Sequence, residues 1–134
     1  MKRLPVAAVV LVGVLFVGGC RRTIQSEGTH NLSPGAIKSV DLPAAKSISA
    51  EFSTSDNVPV ASYLVKTEDA TTALDAVNSG KSVREALALI KPVAELPKQA
   101  SGKFNSPRTE NSAKYSILFT TDKATSVTVK SRGE

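Results

Sequence analysis

Short stretches of alternating apolar and polar residues predict that the chain is built mainly from β-strands. In residues 47–53, SISAEFS, the apolar residues Ile48, Ala50 and Phe52 fall on one face of a strand and polar residues on the other. Residues 58–67 are apolar on both faces, which indicates an inner strand, with Pro59 placing its start at an edge. Further strands are predicted at residues 37–42, 93–96, 99–105, 115–120 and 126–130, with residues 131–134 frayed.

The middle of the chain changes to a helical pattern. From Thr67 onward, positions 70, 73, 74 and 77 are apolar and lie on one helical face, and Gly80 stands where a helix commonly ends. Ser82 and Glu85 then have the spacing of a capping box, which predicts a second short helix that ends before Pro92. Two short helices are therefore inserted between strands.

The strand faces require a partner layer, and this requirement predicts the fold. The apolar face of residues 48–52 can be covered by comparable faces in residues 115–119 and 127–129. We therefore predict a mainly β protein, an antiparallel β-sandwich with a short two-helix insertion, forming one domain over residues 37–132. The alternative is an α+β two-layer fold in which the helices lie on a single sheet.

The first 19 residues have the pattern of a secretory signal peptide. Lys2 and Arg3 precede an apolar run over residues 4–17, which two glycines follow. The run has 14 residues, whereas a spanning helix needs about 20. A cleaved signal is therefore expected rather than a permanent transmembrane helix.

The signal ends in residues 17–20, Val-Gly-Gly-Cys, and Cys20 is the only cysteine of the chain. This motif resembles the lipobox of bacterial lipoproteins. The resemblance implies that the chain is cut before Cys20 and that the cysteine carries a thioether-linked lipid, with two or more acyl chains giving stable membrane attachment. The alternative is that Cys20 is a buried or free thiol at the end of an ordinary signal peptide.

Residues 20–36 are polar and rich in turn-forming residues, and we predict a flexible tether between the lipid and the domain. Arg21 and Arg22 directly follow the cysteine and could contact anionic headgroups. Some bacterial lipoproteins are kept at the inner membrane by an Asp at the position of Arg21. By that resemblance, the periplasmic side of the outer membrane is favoured.

A second resemblance lies in residues 102–129. Residues 102–104, Gly-Lys-Phe, are followed by the tyrosine-led strand at 115–119 and by Ser-Val-Thr-Val at 126–129. This succession resembles the closing strands of GOLD-like and bacterial pre-peptidase C-terminal β-sandwich domains, although the helical pair departs from their compact form. The resemblance implies a non-catalytic accessory or interaction module and assigns no catalytic residue.

Composition limits the classes of partner. The chain from Cys20 onward has a net charge of +3, compared with +5 for all 134 residues, and its charges are interspersed. Because nucleic-acid binding usually needs a clustered basic stripe with aromatic residues, no nucleic-acid partner is expected.

The residues that could carry chemistry are few. His30 is the only histidine, and its place in the predicted tether leaves nothing to orient it as an acid or base. Asp56-Asn57 and Glu68-Asp69 are the closest oxygen-ligand pairs, but a turn and a helix start explain them without a metal. Tyr63 and Tyr115 could line a groove, but we expect core positions. No catalytic residue, metal site or cofactor is predicted.

These observations together predict a small lipid-anchored, extracytoplasmic protein that is not an enzyme. It would act as a binding or structural module of the cell envelope, held to the membrane through Cys20 and facing an envelope protein or a polysaccharide. The alternative is a small envelope hydrolase that uses Ser or Thr with carboxylates. A site of that kind requires a pocket that gathers an Asp or Glu with a hydroxyl group.

Overall fold

The structure, a computed structural model, describes residues 24–134. Eight strands and two helices follow one another along this part of the chain. In order they are β1 (Ile24–Leu32), β2 (Lys38–Asp41), β3 (Ile48–Thr54), β4 (Val60–Lys66), α1 (Thr67–Asn78), α2 (Val83–Ala88), β5 (Ala94–Gln99), β6 (Ser101–Asn105), β7 (Tyr115–Thr121) and β8 (Thr125–Gly133).

The strands form two four-stranded sheets in which all neighbouring strands are antiparallel. The first sheet has the order β1-β8-β3-β6, and the second has the order β2-β7-β4-β5. The chain changes sheet at every connection between successive strands except the one from β4 to β5, which contains the two helices. The predicted β-sandwich with a short helical insertion is thus confirmed.

The inner faces of the two sheets form the main core. Three phenylalanines lie at its centre: the ring of Phe52 packs edge-to-face on Phe119 at 5.1 Å between centroids and stacks on Phe104 at 6.3 Å. Phe52 and Phe104 belong to the first sheet and Phe119 to the second, so the contact between Phe52 and Phe119 joins the two layers. Aliphatic side chains of both sheets complete this core: Val40, Ile48, Val60, Leu64, Ile117, Val127 and Val129.

The helices cover the outer face of the second sheet and make a second, smaller core. Small residues on one face of the helices, Ala70, Ala73, Ala76 and Ala86, are buried against Val65 and Leu118 of the sheet. Since alanine side chains are short, the helices can approach the sheet closely. The molecule therefore has three layers, with the second sheet in the middle.

Both predicted helix boundaries are present. After α1, Gly80 has φ +102°, a conformation that glycine adopts without strain, and its N–H donates to the carbonyl of Val77. Ser82 and Glu85 form the capping box of α2, and the hydrogen bond from the Ser82 backbone N–H lowers the pKa of Glu85. The turn between the helices is thus fixed by its own sequence.

The structure differs from the sequence-based prediction at both ends of the domain. Residues 24–32, expected to belong to the tether, form β1 and pair with β8 along its whole length. Residues 131–134 were expected to fray, but β8 continues to Gly133 and the Glu134 N–H donates to the carbonyl of Ser47. These polar segments are extended because each pairs with the other, not because either has an apolar face.

We expect Phe119→Ala to lower the free energy of unfolding by roughly 3–5 kcal/mol, because the ring is fully buried between the sheets and its loss leaves a cavity. A loss of this size is a large share of a total stability of the order of 5–15 kcal/mol. Urea denaturation followed by circular dichroism measures the change. Phe119→Leu, which keeps part of the volume, should lose less, and equal losses for both variants would contradict a tightly packed site.

Candidate functional site

The predicted signal peptide (1–19) and the lipidation site Cys20 lie outside the described residues. Arg21, Arg22 and Thr23 alone separate Cys20 from the first residue of β1. No helix within residues 24–134 is long and apolar enough to cross a membrane. A lipid on Cys20 would therefore be followed almost at once by the sandwich.

His30 lies in the edge strand β1, not in a tether. It pairs with Val127 of β8, so its side chain faces the same side of the sheet as the core. Partial burial, followed by the positive charge of Lys38, lowers the pKa of His30. The imidazole is therefore held more in its neutral form than a free histidine would be.

The two candidate oxygen-ligand pairs, Asp56-Asn57 and Glu68-Asp69, have local structural roles. Asp56 accepts a hydrogen bond from the Thr125 hydroxyl, which ties the turn after β3 to the start of β8, and Asn57 takes a left-handed turn conformation with φ 59°. Glu68 and Asp69 occupy the first turn of α1, where negative charge favours the helix dipole. Among residues 24–134, no three His, Cys, Asp or Glu side chains gather as metal ligands would.

One serine does contact a carboxylate, in a chain that joins three elements. Ser116 of β7 donates a hydrogen bond of 2.7 Å to Asp41 of β2, and its oxygen lies 3.1 Å from the hydroxyl of Thr67 at the start of α1. Ser116 is fully buried beneath the helix, so a substrate could not reach its hydroxyl. These contacts link β2, β7 and α1.

The two tyrosines occupy different layers. Tyr115 is 5% exposed and belongs to the core between the sheets. Tyr63 is half-buried against the helices, and burial, followed by the nearby Glu95 carboxylate, raises its pKa. Both positions match the expectation of core residues rather than of a binding groove.

Within residues 24–134, no other layer covers the outer face of the first sheet. We call it the polar face. All its side chains are polar or charged and come from four strands: Gln25, Glu27, Thr29 and Asn31 of β1, Ser126, Thr128, Lys130 and Arg132 of β8, Ser49, Glu51 and Ser53 of β3, and Ser101, Lys103 and Asn105 of β6.

The strand register arranges charges on the polar face in an alternating row. Glu27 lies opposite Lys130, Lys130 opposite Glu51, and Glu51 opposite Lys103. Opposite charges directly across from one another stabilise a sheet modestly. The row crosses all four strands, and it presents two carboxylates and two ammonium groups to solvent.

Hydroxyl and amide groups form rows on either side of the charges. Ser49 donates a hydrogen bond of 2.7 Å to Asn105, and Ser126 donates one of 2.9 Å to Asn31. Beside the charged row, a shallow depression of about 410 Å³ is lined by Glu51, Lys103, Lys130, Ser53, Ser101 and Thr128, with Phe52 and Gly102 at its base. The depression offers carboxylate, ammonium and hydroxyl groups.

The polar face is not recognisable as a site from the sequence alone. Alternation indicated that the outer faces of β3 and β8 are polar, but the rows need the register between strands that are distant in the chain, such as Glu27 and Lys130. β1 itself was not recognised as a strand. The available signal was the period of two in residues 126–132.

No protein-family model matches this chain, and no curated protein matches it.

Two buried serines of the second sheet differ in their hydrogen bonding, and this difference can be tested by substitution. Ser62 and Ser116 are both 0% exposed, but the Ser62 hydroxyl has no partner in the core between the sheets. We expect Ser62→Ala to raise the free energy of unfolding by about 1 kcal/mol, because it removes an unsatisfied polar group, and Ser116→Ala to lower it by about 1–2 kcal/mol. Urea denaturation of both variants checks the signs. Destabilisation of equal size at both positions would contradict the assignment.

Proposed function

We propose that this protein is a lipid-anchored, extracytoplasmic, non-catalytic module of the cell envelope with a binding or structural role. The observation that carries the proposal is the sequence at residues 17–20, Val-Gly-Gly-Cys, placed directly after a basic start and an apolar run of signal-peptide length. A single cysteine at that position has an evident chemical use, since a thiol is the nucleophile that accepts the lipid.

The arrangement of the layers supports a binding or structural role. The helices occupy the outer face of the second sheet, whereas the polar face of the first sheet is open. A flat surface of hydroxyl, amide and charged groups suits another polar surface, such as an envelope protein or a polysaccharide. The same resemblance to lipoproteins, with Arg21 after the cysteine, favours the periplasmic side of the outer membrane.

The buried polar contacts support the non-catalytic part of the proposal. Asp41 and Asp56 accept hydrogen bonds from hydroxyl groups, and each of these two contacts joins separate elements of the fold. The partner of Asp41, Ser116, is buried out of reach. This use of the serine and carboxylate groups agrees better with a scaffold than with the alternative of a small hydrolase, and with the accessory role that the resemblance of residues 102–129 implies.

The anchor is tested by metabolic labelling with a clickable palmitate analogue, followed by intact mass measurement of the protein extracted from membranes of its native host. We expect label on the wild-type chain, none on Cys20→Ser, and a mass equal to residues 20–134 plus lipid. An unlabelled wild-type chain, whether cut or full-length, would refute the anchor and leave Cys20 as a thiol.

The role of the polar face is tested with two charge-matched variants. Lys103→Gln/Lys130→Gln removes both ammonium groups of the charged row, whereas Lys81→Gln/Lys91→Gln removes two exposed charges that flank α2. In co-sedimentation with isolated envelope material, the first variant should bind about tenfold more weakly, since two surface charge contacts of up to about 1 kcal/mol each are lost. Equal binding by both variants would show that the polar face is not the contact.

A further inference from the structure

The four edge strands of the two sheets differ in how they are protected against pairing with another strand. An edge strand exposes unpaired backbone groups, and proteins usually block it with lysine, proline, a bulge or a short length. β5 contains Pro97 and Lys98 and has a register shift against β4. β6 has five residues with Lys103 at its centre, and β2 has four residues and begins at Lys38.

β1 has none of these protections. It runs for nine residues, IQSEGTHNL, without proline, lysine or arginine, and its register against β8 is unbroken from Ile24 to Leu32. Within residues 24–134, no strand of the first sheet lies on its other edge. β1 is thus a long, regular strand whose free edge is able to form a second ladder of hydrogen bonds.

The core-facing side of β1 is also incompletely covered. Ile24 is 37% exposed and is one of three exposed large hydrophobic side chains among residues 24–134, whereas Leu32 at the other end of the strand is 3% exposed. Ser26 is exposed, and Gly28 and His30 are half-buried. A strand added beyond β1 would cover this margin.

We infer that β1 pairs antiparallel with β1 of a second copy of the chain, about a two-fold axis at Gly28. The two first sheets would then join into one eight-stranded sheet with the polar faces on the same side. The inference rests on the edge and on the sequence of β1, and it does not depend on the lipid anchor or on what the polar face binds.

The residue pairs that this axis creates are chemically matched. On the core side, Ile24 lies opposite Leu32 of the second copy and Ser26 opposite His30, so an apolar pair and a hydrogen-bonding pair result. On the polar side, Gln25 lies opposite Asn31 and Glu27 opposite Thr29, so amide meets amide and a carboxylate meets a hydroxyl donor. Gly28 meets itself at the axis, where its lack of a side chain allows close approach.

Neighbouring registers are less favourable. Side chains alternate between the two faces of a sheet, so the polar faces of the two copies lie on the same side only if the two-fold axis passes through a residue. The nearest alternative axes therefore lie at the residues on either side of Gly28. An axis at Glu27 places two carboxylates directly opposite each other, and an axis at Thr29 pairs Ser26 with Leu32 and leaves Ile24 without a partner. The axis at Gly28 uses all nine residues, and each Glu27 keeps Lys130 of its own chain beside it.

Cysteine cross-linking of the full-length chain in cells of its native host tests this register. In Gly28→Cys the two new thiols would lie on directly opposite residues, about 4.5–5.5 Å apart at Cα, within reach of a disulfide. Gly28 does not have a positive φ, and the nearest atom to an added Cβ is Nε2 of the flexible His30 side chain at 3.3 Å, so the variant is accommodated. The matched control is Gln25→Cys on the same strand, whose two thiols would be about 20 Å apart.

After mild oxidation, we expect about tenfold more disulfide-linked dimer from Gly28→Cys than from Gln25→Cys, because only the former pair meets the geometry of a disulfide. Co-expression of two differently tagged copies identifies the product as a dimer of this chain. Equal yields, no dimer, or an adduct with a different protein would each overturn the inference.

Two further samples keep the result unambiguous. If Gly28→Cys does not fold, Glu27→Cys/Thr29→Cys places two pairs of opposed thiols on the polar side, and the absence of a dimer from that variant overturns the inference.

The wild-type chain contains Cys20 alone, and any dimer that it forms is subtracted from the yields of the variants. Such a dimer would show that Cys20 is an unmodified thiol, which contradicts the anchor but leaves the comparison of Gly28→Cys with Gln25→Cys intact.

Discussion

Burial of both faces of β7 is the constraint on which the three layers depend. Its residues from Tyr115 to Phe119 are all buried, with Ile117 and Phe119 facing the first sheet and Ser116 and Leu118 facing the helices. Each side of this strand therefore needs a complete covering layer. Because one of the outward positions is a serine, that layer also has to supply hydrogen-bond partners, which Asp41 and Thr67 provide.

Because both faces of β7 are buried, the outer faces of the two sheets differ in their exposure to solvent. The helices are needed to cover the second sheet, whereas the first sheet has an outer face that is polar at every position and stable in water. A sandwich whose two outer faces are both polar needs no helices to cover it. Here α1 and α2 cover the outer face of the second sheet, which is therefore the internal layer. The open surface and the covered surface are thus fixed by the residues of the strands themselves.

Much of the fold follows from local pattern, and the rest depends on pairing. β3, β7 and the helical pair were predicted because apolar residues recur with the period of a strand or a helix, and the caps at Gly80 and Ser82 were visible in the sequence. β1 could not be predicted, because IQSEGTHNL has no apolar period and is extended only through its bonds to β8. Likewise, Ser131 is buried beside Ser26 and Gly133 beside Ala45, and both of these neighbours are distant in the chain. The polar face required the same long-range register, so sequence alone indicated its composition but not its rows.

The pairing of β1 with β8 has a consequence for how the protein acquires its structure. The earliest and the latest strands of the described region are neighbours, and Thr29 and its partner Thr128 have a sequence separation of 99. Contacts of such long sequence separation slow folding, and this one cannot form until the last strand has been synthesised. β1 would therefore remain unpaired until β8 has been synthesised, and the first sheet would close only then. A chain that must cross a membrane before it folds would gain from this delay.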